Sequence, residues 1–235
     1  MKKFIFILIC FCFLTGQLSL IAQEKSSGVL IYTKIKDMHA SIKEEKYKAI
    51  VPQFYECQIL FSYSKDYART EERIEETDGP TIRAKGLSNN AIYDFKDKQF
   101  YNFVESPTMG NFMVTGDLVK EKVEITAEVK EILGYKCRKA VIKTTDKHIE
   151  IWYTDQIPVQ ISPMGNWGIP GAAMEINGIS SHTTYAITSV EFKVIDNSFF
   201  EIPEEINKKY RKISFEKFDD LIKSSSTKGV TKIEK

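Results

Sequence analysis

Three histidines, two late cysteines and a scatter of methionines are the residues of this chain best suited to hold a metal or act as nucleophiles. His39, His148 and His182 lie far apart, in no His-x-x-x-His spacing and with no Glu placed as in a zinc protease. Met38, Met109, Met113, Met164 and Met174 carry soft thioethers that suit reduced copper, yet each stands singly, as gap-filling core methionines do. Cys137 sits in Gly134-Tyr135-Lys136-Cys137-Arg138-Lys139-Ala140, where three cations would lower the pKa of an exposed thiol. An envelope enzyme or metal-handling protein built on these groups therefore requires the fold to bring at least three of His39, His148, His182 and Cys137 within metal-binding reach of one another. Other catalytic signatures are missing. There is no Gly-x-Ser-x-Gly elbow and no Ser-x-x-Lys with its companions. The glycine-dense stretch 165–178 contains proline and lacks the strand-loop-helix order of a phosphate loop. No pair of carboxylates can be assigned opposed acid and base roles. No catalytic residue, metal site or cofactor is expected.

The start of the chain bears on where these groups work. Lys2 and Lys3 precede an uncharged run from Phe4 to Leu14, and Leu20-Ile21-Ala22-Gln23 offers a small residue at a cleavage point. That order predicts a signal peptide over residues 1–22 and an exported chain, whether periplasmic, outer-membrane associated or secreted. Cys10 and Cys12 fall within the leader, leaving Cys57 and Cys137. In an oxidising compartment these two can close one disulfide, or both can be small buried hydrophobes; spacing leaves both open. With 33 basic and 32 acidic side chains the chain is near neutral, which speaks against a nucleic-acid partner.

The elements that must position any site read with period two. Val29, Ile31, Thr33 and Ile35 alternate with Leu30, Tyr32, Lys34 and Lys36. Tyr55, Cys57, Ile59 and Phe61 oppose Glu56 and Gln58; Val123, Ile125, Ala127 and Val129 oppose Glu124, Thr126 and Glu128. Ala186, Thr188, Val190, Phe192 and Val194 oppose Ile187, Ser189, Glu191 and Lys193. Such alternation marks antiparallel strands with one covered face, here expected on the first-named residues of each set. Asp97-Lys98 and Thr145-Asp146-Lys147 read as hairpin turns, and Asp78-Gly79-Pro80 and Ser88-Asn89-Asn90 as loops. The expected fold is mainly β: nine to eleven strands in a domain over 23–213, forming one large curved antiparallel sheet or half-barrel. Lys43–Phe54 is a short helix or loop. Ser214 caps a short amphipathic helix over 214–223, and a polar tail over 224–235 is expected to be disordered.

The stretch from Trp152 to Asn177 is the most distinctive. Pro170-Gly171 suits the centre of a type II turn, with Gly168 beside it and Trp167 or Ile169 tucked against the sheet. Gly-Tyr-x-Cys-x-Lys-Ala at 134–140, Trp-Tyr-Thr and Ile-Pro within 152–158, and Gly-Ile-Pro-Gly at 168–171 together resemble the GLPGLI family of exported bacterial proteins. Ala172-Ala173 stand where that family usually has Leu-Ile. The resemblance implies no established activity, cofactor or catalytic residue. The strand pattern is also similar in architecture to LolA-like lipoprotein carriers. From these readings comes a non-catalytic binding module for an apolar small molecule, a lipid or a cell-envelope protein. Its expected aromatic lining is Tyr93, Phe95, Phe100, Tyr101, Phe103 and Phe112, supported by Trp167 and Ile169. A third reading is an accessory protein docking on an outer-membrane assembly through the loop from Gly168 to Gly171.

Overall fold

A computed structural model describes residues 25–73, 90–106 and 109–231, with side chains as far as residue 224. The predicted leader 1–22 and the loop signal at Asp78-Gly79-Pro80 lie outside the described residues, as do Ser88 and Asn89. Twelve strands form one sheet: β1 (Gly28–Asp37), β2 (Phe54–Tyr63), β3 (Tyr67–Arg73), β4 (Asn90–Asp94), β5 (Gln99–Ser106), β6 (Gly110–Asp117), β7 (Glu124–Ile132), β8 (Tyr135–Lys143), β9 (His148–Thr154), β10 (Ala172–Gly178), β11 (Thr183–Phe192) and β12 (Arg211–Ser214). Three helices accompany it, α1 (Glu45–Lys48), α2 (Glu204–Lys209) and α3 (Phe215–Thr231).

The spatial order is β12-β6-β5-β4-β3-β2-β1-β11-β10-β9-β8-β7. Two meanders, β1 to β6 and β7 to β11, therefore run away from a shared seam where β1 pairs with β11. The three ten-residue strands β1, β2 and β11 lie side by side at that seam. The sheet is mainly β, open and curved, and antiparallel except at one end. There β12 pairs with β6 in parallel, because residues 193–210 carry the chain back over the outer face and deliver it in the same direction as β6.

Curvature gives the sheet an inner and an outer face. Leu30, Tyr32, Ile59, Phe61, Ile151 and Ile176 are all fully buried in the main core. Each such side chain contributes about 1.5–3 kcal/mol on leaving water. The predicted face is reversed in β1 and in the first half of β11, whereas Val190 and Phe192 pack against the core as expected. Leu30 and Tyr32 are buried while Ile35 is 40% exposed; Tyr185 and Ile187 are buried while Ala186 and Thr188 are exposed. Both faces of these strands carry apolar residues, and a register shift at Ile31/Tyr32 resets the alternation. In β7, Ile125 and Val129 are exposed because the strand is an edge. The β2 assignment holds, with Cys57, Ile59 and Phe61 buried and Gln58 and Glu56 less so. Both predicted hairpin turns are present between β4 and β5 and between β8 and β9.

The helix capped by Ser214 is present, with its hydroxyl accepting from Lys217 N at 3.4 Å. It runs on to Thr231 rather than stopping at 223. The serines and threonine that follow carry no proline, and so nothing in them blocks helical propagation. Phe218 and Leu221 seal Val104 and Phe112 on the inner face of β5 and β6. On the outer face, Tyr210, Ile202 and Ile206 cover Ile92, Phe103 and Met113.

Candidate functional site

The segment joining β9 to β10 determines what the inner face can hold. Ile157, Val159, Ile161 and Ile169 are all buried in the main core. The segment is tied down by Ala172 N donating to Ile157 O at 3.0 Å and Gly168 N donating to Gln160 O at 2.8 Å. A small polar turn stiffens it. Ser162 N donates to Asn166 O, Gly165 N donates to Ser162 O, and Gly165 takes a φ of 82°. Ser162 and Asn166 are both buried, and the Asn166 amide reaches Glu121, which Lys147 also meets at 2.6 Å. The chain thus packs its own connection into the hollow where a half-barrel carrier would place a guest.

The loop from Gly168 to Gly171 belongs to this packed segment. Ile169 is fully buried, as is the backbone around Gly171, so Gly168–Gly171 presents little beyond the exposed Pro170 to an outside partner. Gly171 is also not the positive-φ centre of a type II turn; Gly168 is the residue with positive φ, at 105°. Gly171 is required for space, since a Cβ there would overlap the Thr154 carbonyl oxygen. Trp167 is half-buried, with Lys120 Nζ 5.3 Å from its ring centroid.

The six candidate lining aromatics do not share a surface. Tyr93, Phe95 and Phe100 pack with the main core. Tyr101 and Phe103 belong to the outer-face cluster under Tyr210. Phe112 is closed off by Phe218 of α3, ring centroids 5.5 Å apart. Adjacent residues on a strand point to opposite faces, so Phe100 and Tyr101 could never line one groove.

The residues of the metal-handling reading are not gathered into one metal site among the described residues. His39 Nε2 lies 2.8 Å from Val51 O, His148 opens β9, and His182 sits at a φ of 51° before β11. Among the described residues no three His, Cys, Asp or Glu side chains converge on a point that could hold a metal ion. Cys57 and Cys137 are free and buried rather than joined. They stand on β2 and β8, with four strands between them in the sheet. Burial pushes the Cys57 thiol up to about 12, helped by the Glu72 carboxylate. Burial raises Cys137 as well, against the pull of the Ile132 backbone and Lys130. The flanking cations do not activate it.

Two features escape sequence reasoning. The first is a buried charge cluster at one end of the inner face. Lys34 Nζ lies 3.1 Å from Glu72 Oε2, both side chains below a tenth exposed, and the Tyr55 hydroxyl donates to Glu72 Oε1 at 2.5 Å. Burial and this carboxylate both hold the Tyr55 phenol far above its ordinary pKa. Lys34 shares parity with Leu30 and Tyr32, which was the available signal. The second is β7, an edge of the sheet among the described residues. Its pairing with β8 slips between Ile125 and Val129, and Ile125, Val129 and Leu133 are 49%, 58% and 53% exposed. Glu124, Glu128 and Glu131 lie along the same strand, all exposed.

A family model described as N-glycanase peptide, N-terminal domain, matches residues 99–215, from the start of β5 to the start of α3 and just under half of the chain. Two solved structures of PNGF-II, in C2 and P21 crystal forms, each align with a TM-score of 0.53 and 16% identity. They cover 83% and 84% of this chain but 32% and 33% of their own. No curated protein matches the sequence. The chain spans about a third of the length of those solved structures, and the likeness at this identity is one of fold: a mainly β module similar to part of PNGF-II.

Proposed function

We propose that this chain is an exported, non-catalytic module of the GLPGLI kind that binds a cell-envelope protein through the edge strand β7. The observation that carries the reading is the exposed aliphatic side chains Ile125 and Val129, with Leu133 in the turn that follows, on a strand that has no neighbour on one side among the described residues. The filled inner face argues for a protein partner over a lipid or other apolar guest. The slipped pairing between Ile125 and Val129 twists the edge away from simple strand addition. The partner therefore meets side chains rather than extending the ladder, and the glutamates along β7 call for a basic rim around an apolar centre. The signal-peptide pattern and the likeness to part of a much longer protein both support a module that works beside something else. Since the matched family model is named for an N-glycanase, an enzyme of that class is the second candidate partner.

A photo-crosslinking residue at Val129 tests this in cells of the source organism. The expected result is one discrete adduct, identifiable by mass spectrometry, that disappears with Ile125→Glu and does not form from the same probe at Ala186. Equal labelling from both positions, or an adduct indifferent to Ile125→Glu, would overturn the reading.

A further inference from the structure

Among the described residues, two buried side-chain atoms have no hydrogen-bond partner: Thr70 Oγ1 and Asn102 Oδ1. They are not scattered. Ala91 on β4 stands opposite Thr70 on β3 and opposite Asn102 on β5. Directly opposed residues share a face of the sheet, so Phe61, Thr70, Ala91, Asn102 and Val114 form one row across the inner face. With strands about 4.8 Å apart, the backbones of Thr70 and Asn102 are roughly 10 Å apart, with one methyl group between them. Both side chains rise beside that methyl. Tyr93, two residues along β4, borders the same spot; its hydroxyl approaches the Thr70 side chain without making a bond of full geometry, and a Cβ on Gly165 of the inner segment would lie 3.1 Å from that hydroxyl.

The chemistry of the pair is narrow. A threonine hydroxyl donates or accepts, whereas an amide oxygen only accepts. Thr70 is 1% exposed, so bulk water does not satisfy it, and a buried polar atom left unmet is strongly disfavoured. The row contains no charged residue, and Glu72, two residues along β3 from Thr70, is engaged by Lys34 and Tyr55. A cation would have no counter-charge here, and an apolar guest would leave both oxygens unmet.

We propose that Thr70 and Asn102 form a binding site over Ala91 for a small neutral hydrogen-bond donor, with water as the resident molecule. Its one hydrogen goes to Asn102 Oδ1, and it bonds Thr70 Oγ1 either through its second hydrogen or by accepting the hydroxyl proton. Such a molecule ties β3 to β5 across the short Ala91 side chain, and the site is independent of the partner surface on β7.

Oxygen-17 magnetic relaxation dispersion, which counts long-lived internal waters, tests this on the whole mature chain. The Thr70→Val/Asn102→Leu variant keeps the side-chain shapes close while removing the polar atoms, and is expected to lose at least one long-lived water relative to wild type. Ala91→Ser offers a second arm, placing a hydroxyl between the two oxygens with little added volume; it is expected to displace the same water while remaining folded. A high-resolution crystal structure of the wild type is expected to show ordered density within hydrogen-bond reach of both atoms. An unchanged water count in the folded Ala91→Ser protein would overturn the site, as would a crystal structure in which Thr70 and Asn102 bond to protein groups instead.

Discussion

The Tyr32 hydroxyl donates to the carbonyl oxygen of Ala173 at 2.7 Å, inside the core, and so joins β1 to β10 across the intervening β11. The acceptor lies where the pairing of β10 with β9 slips, between Ala173 and Glu175. The bond therefore meets a backbone group at a break in the ladder. Tyr32→Phe keeps the ring and removes the donor, leaving a buried carbonyl short of a partner. Urea denaturation is expected to show a loss of about 1–3 kcal/mol, with the slope of the transition unchanged.

Buried phenols and thiols also set the alkaline limit. Burial raises Tyr93 from 10.0 to about 12 and Cys57 from 9.0 to about 12, and raises Tyr32 further still. A group whose pKa is higher in the folded state binds its proton more tightly there, so its contribution is complete below the unfolded value and declines above it. Stability is therefore expected to hold up to about pH 9 and to fall between about pH 9 and 12. Thermal melts across that range check this. Tyr93→Phe is expected to make the fall shallower, and an unchanged slope would count against the assignment.

Glycines in this chain have different grounds for being glycine, and alanine substitution separates them. At Gly171 a Cβ would overlap the Thr154 backbone, which cannot move without breaking β9. Gly134 has a φ of 78° but nothing within 4 Å of its Cβ position. Gly134→Ala is expected to cost about 1 kcal/mol through backbone strain alone, and Gly171→Ala about 3 kcal/mol or more. Comparable melting temperatures for the two variants would contradict the steric argument.

The buried pair Lys34–Glu72 gives a sharper asymmetry. Lys34→Met strands a carboxylate in the core and is expected to destabilise by about 3–5 kcal/mol. Lys34→Met/Glu72→Leu removes both charges and is expected to recover much of that loss. A double-mutant cycle in urea measures the coupling, and strictly additive losses would show that the two groups do not act as a pair.

Thiol counting checks the cysteines. The mature chain is expected to show two free thiols after unfolding and almost none reacting while folded, because Cys57 and Cys137 are 5% and 0% exposed. A mass two hydrogens lighter under oxidising conditions would indicate a disulfide instead.

Much of the architecture was legible in the chain alone. Alternation in residues 55–61 set β2 and its buried face, Asp97-Lys98 and Thr145-Asp146-Lys147 set two hairpins, and Ser214 set the start of α3. These are local matters, decided by backbone preference, side-chain period and hydrogen bonds a few residues apart. Which face of β1 and β11 turns inward was not local. Both faces of those strands carry apolar residues, and only pairing at the seam, with its register shift, chose Leu30 and Tyr32 over Ile35. The same holds for Trp167–Gly171, whose sequence marks a special turn but not its place. Whether that turn projects to a partner or fills the hollow depends on the curvature of a sheet assembled from strands more than a hundred residues apart. Likewise, the pairing of Lys34 with Glu72 and the row Thr70–Ala91–Asn102 exist only through cross-strand register. Sequence determined that this chain is a β protein with alternating faces and no recognisable catalytic motif. Tertiary structure decided what occupies its inner face and which edge is left exposed, because both follow from long-range strand order rather than local preference.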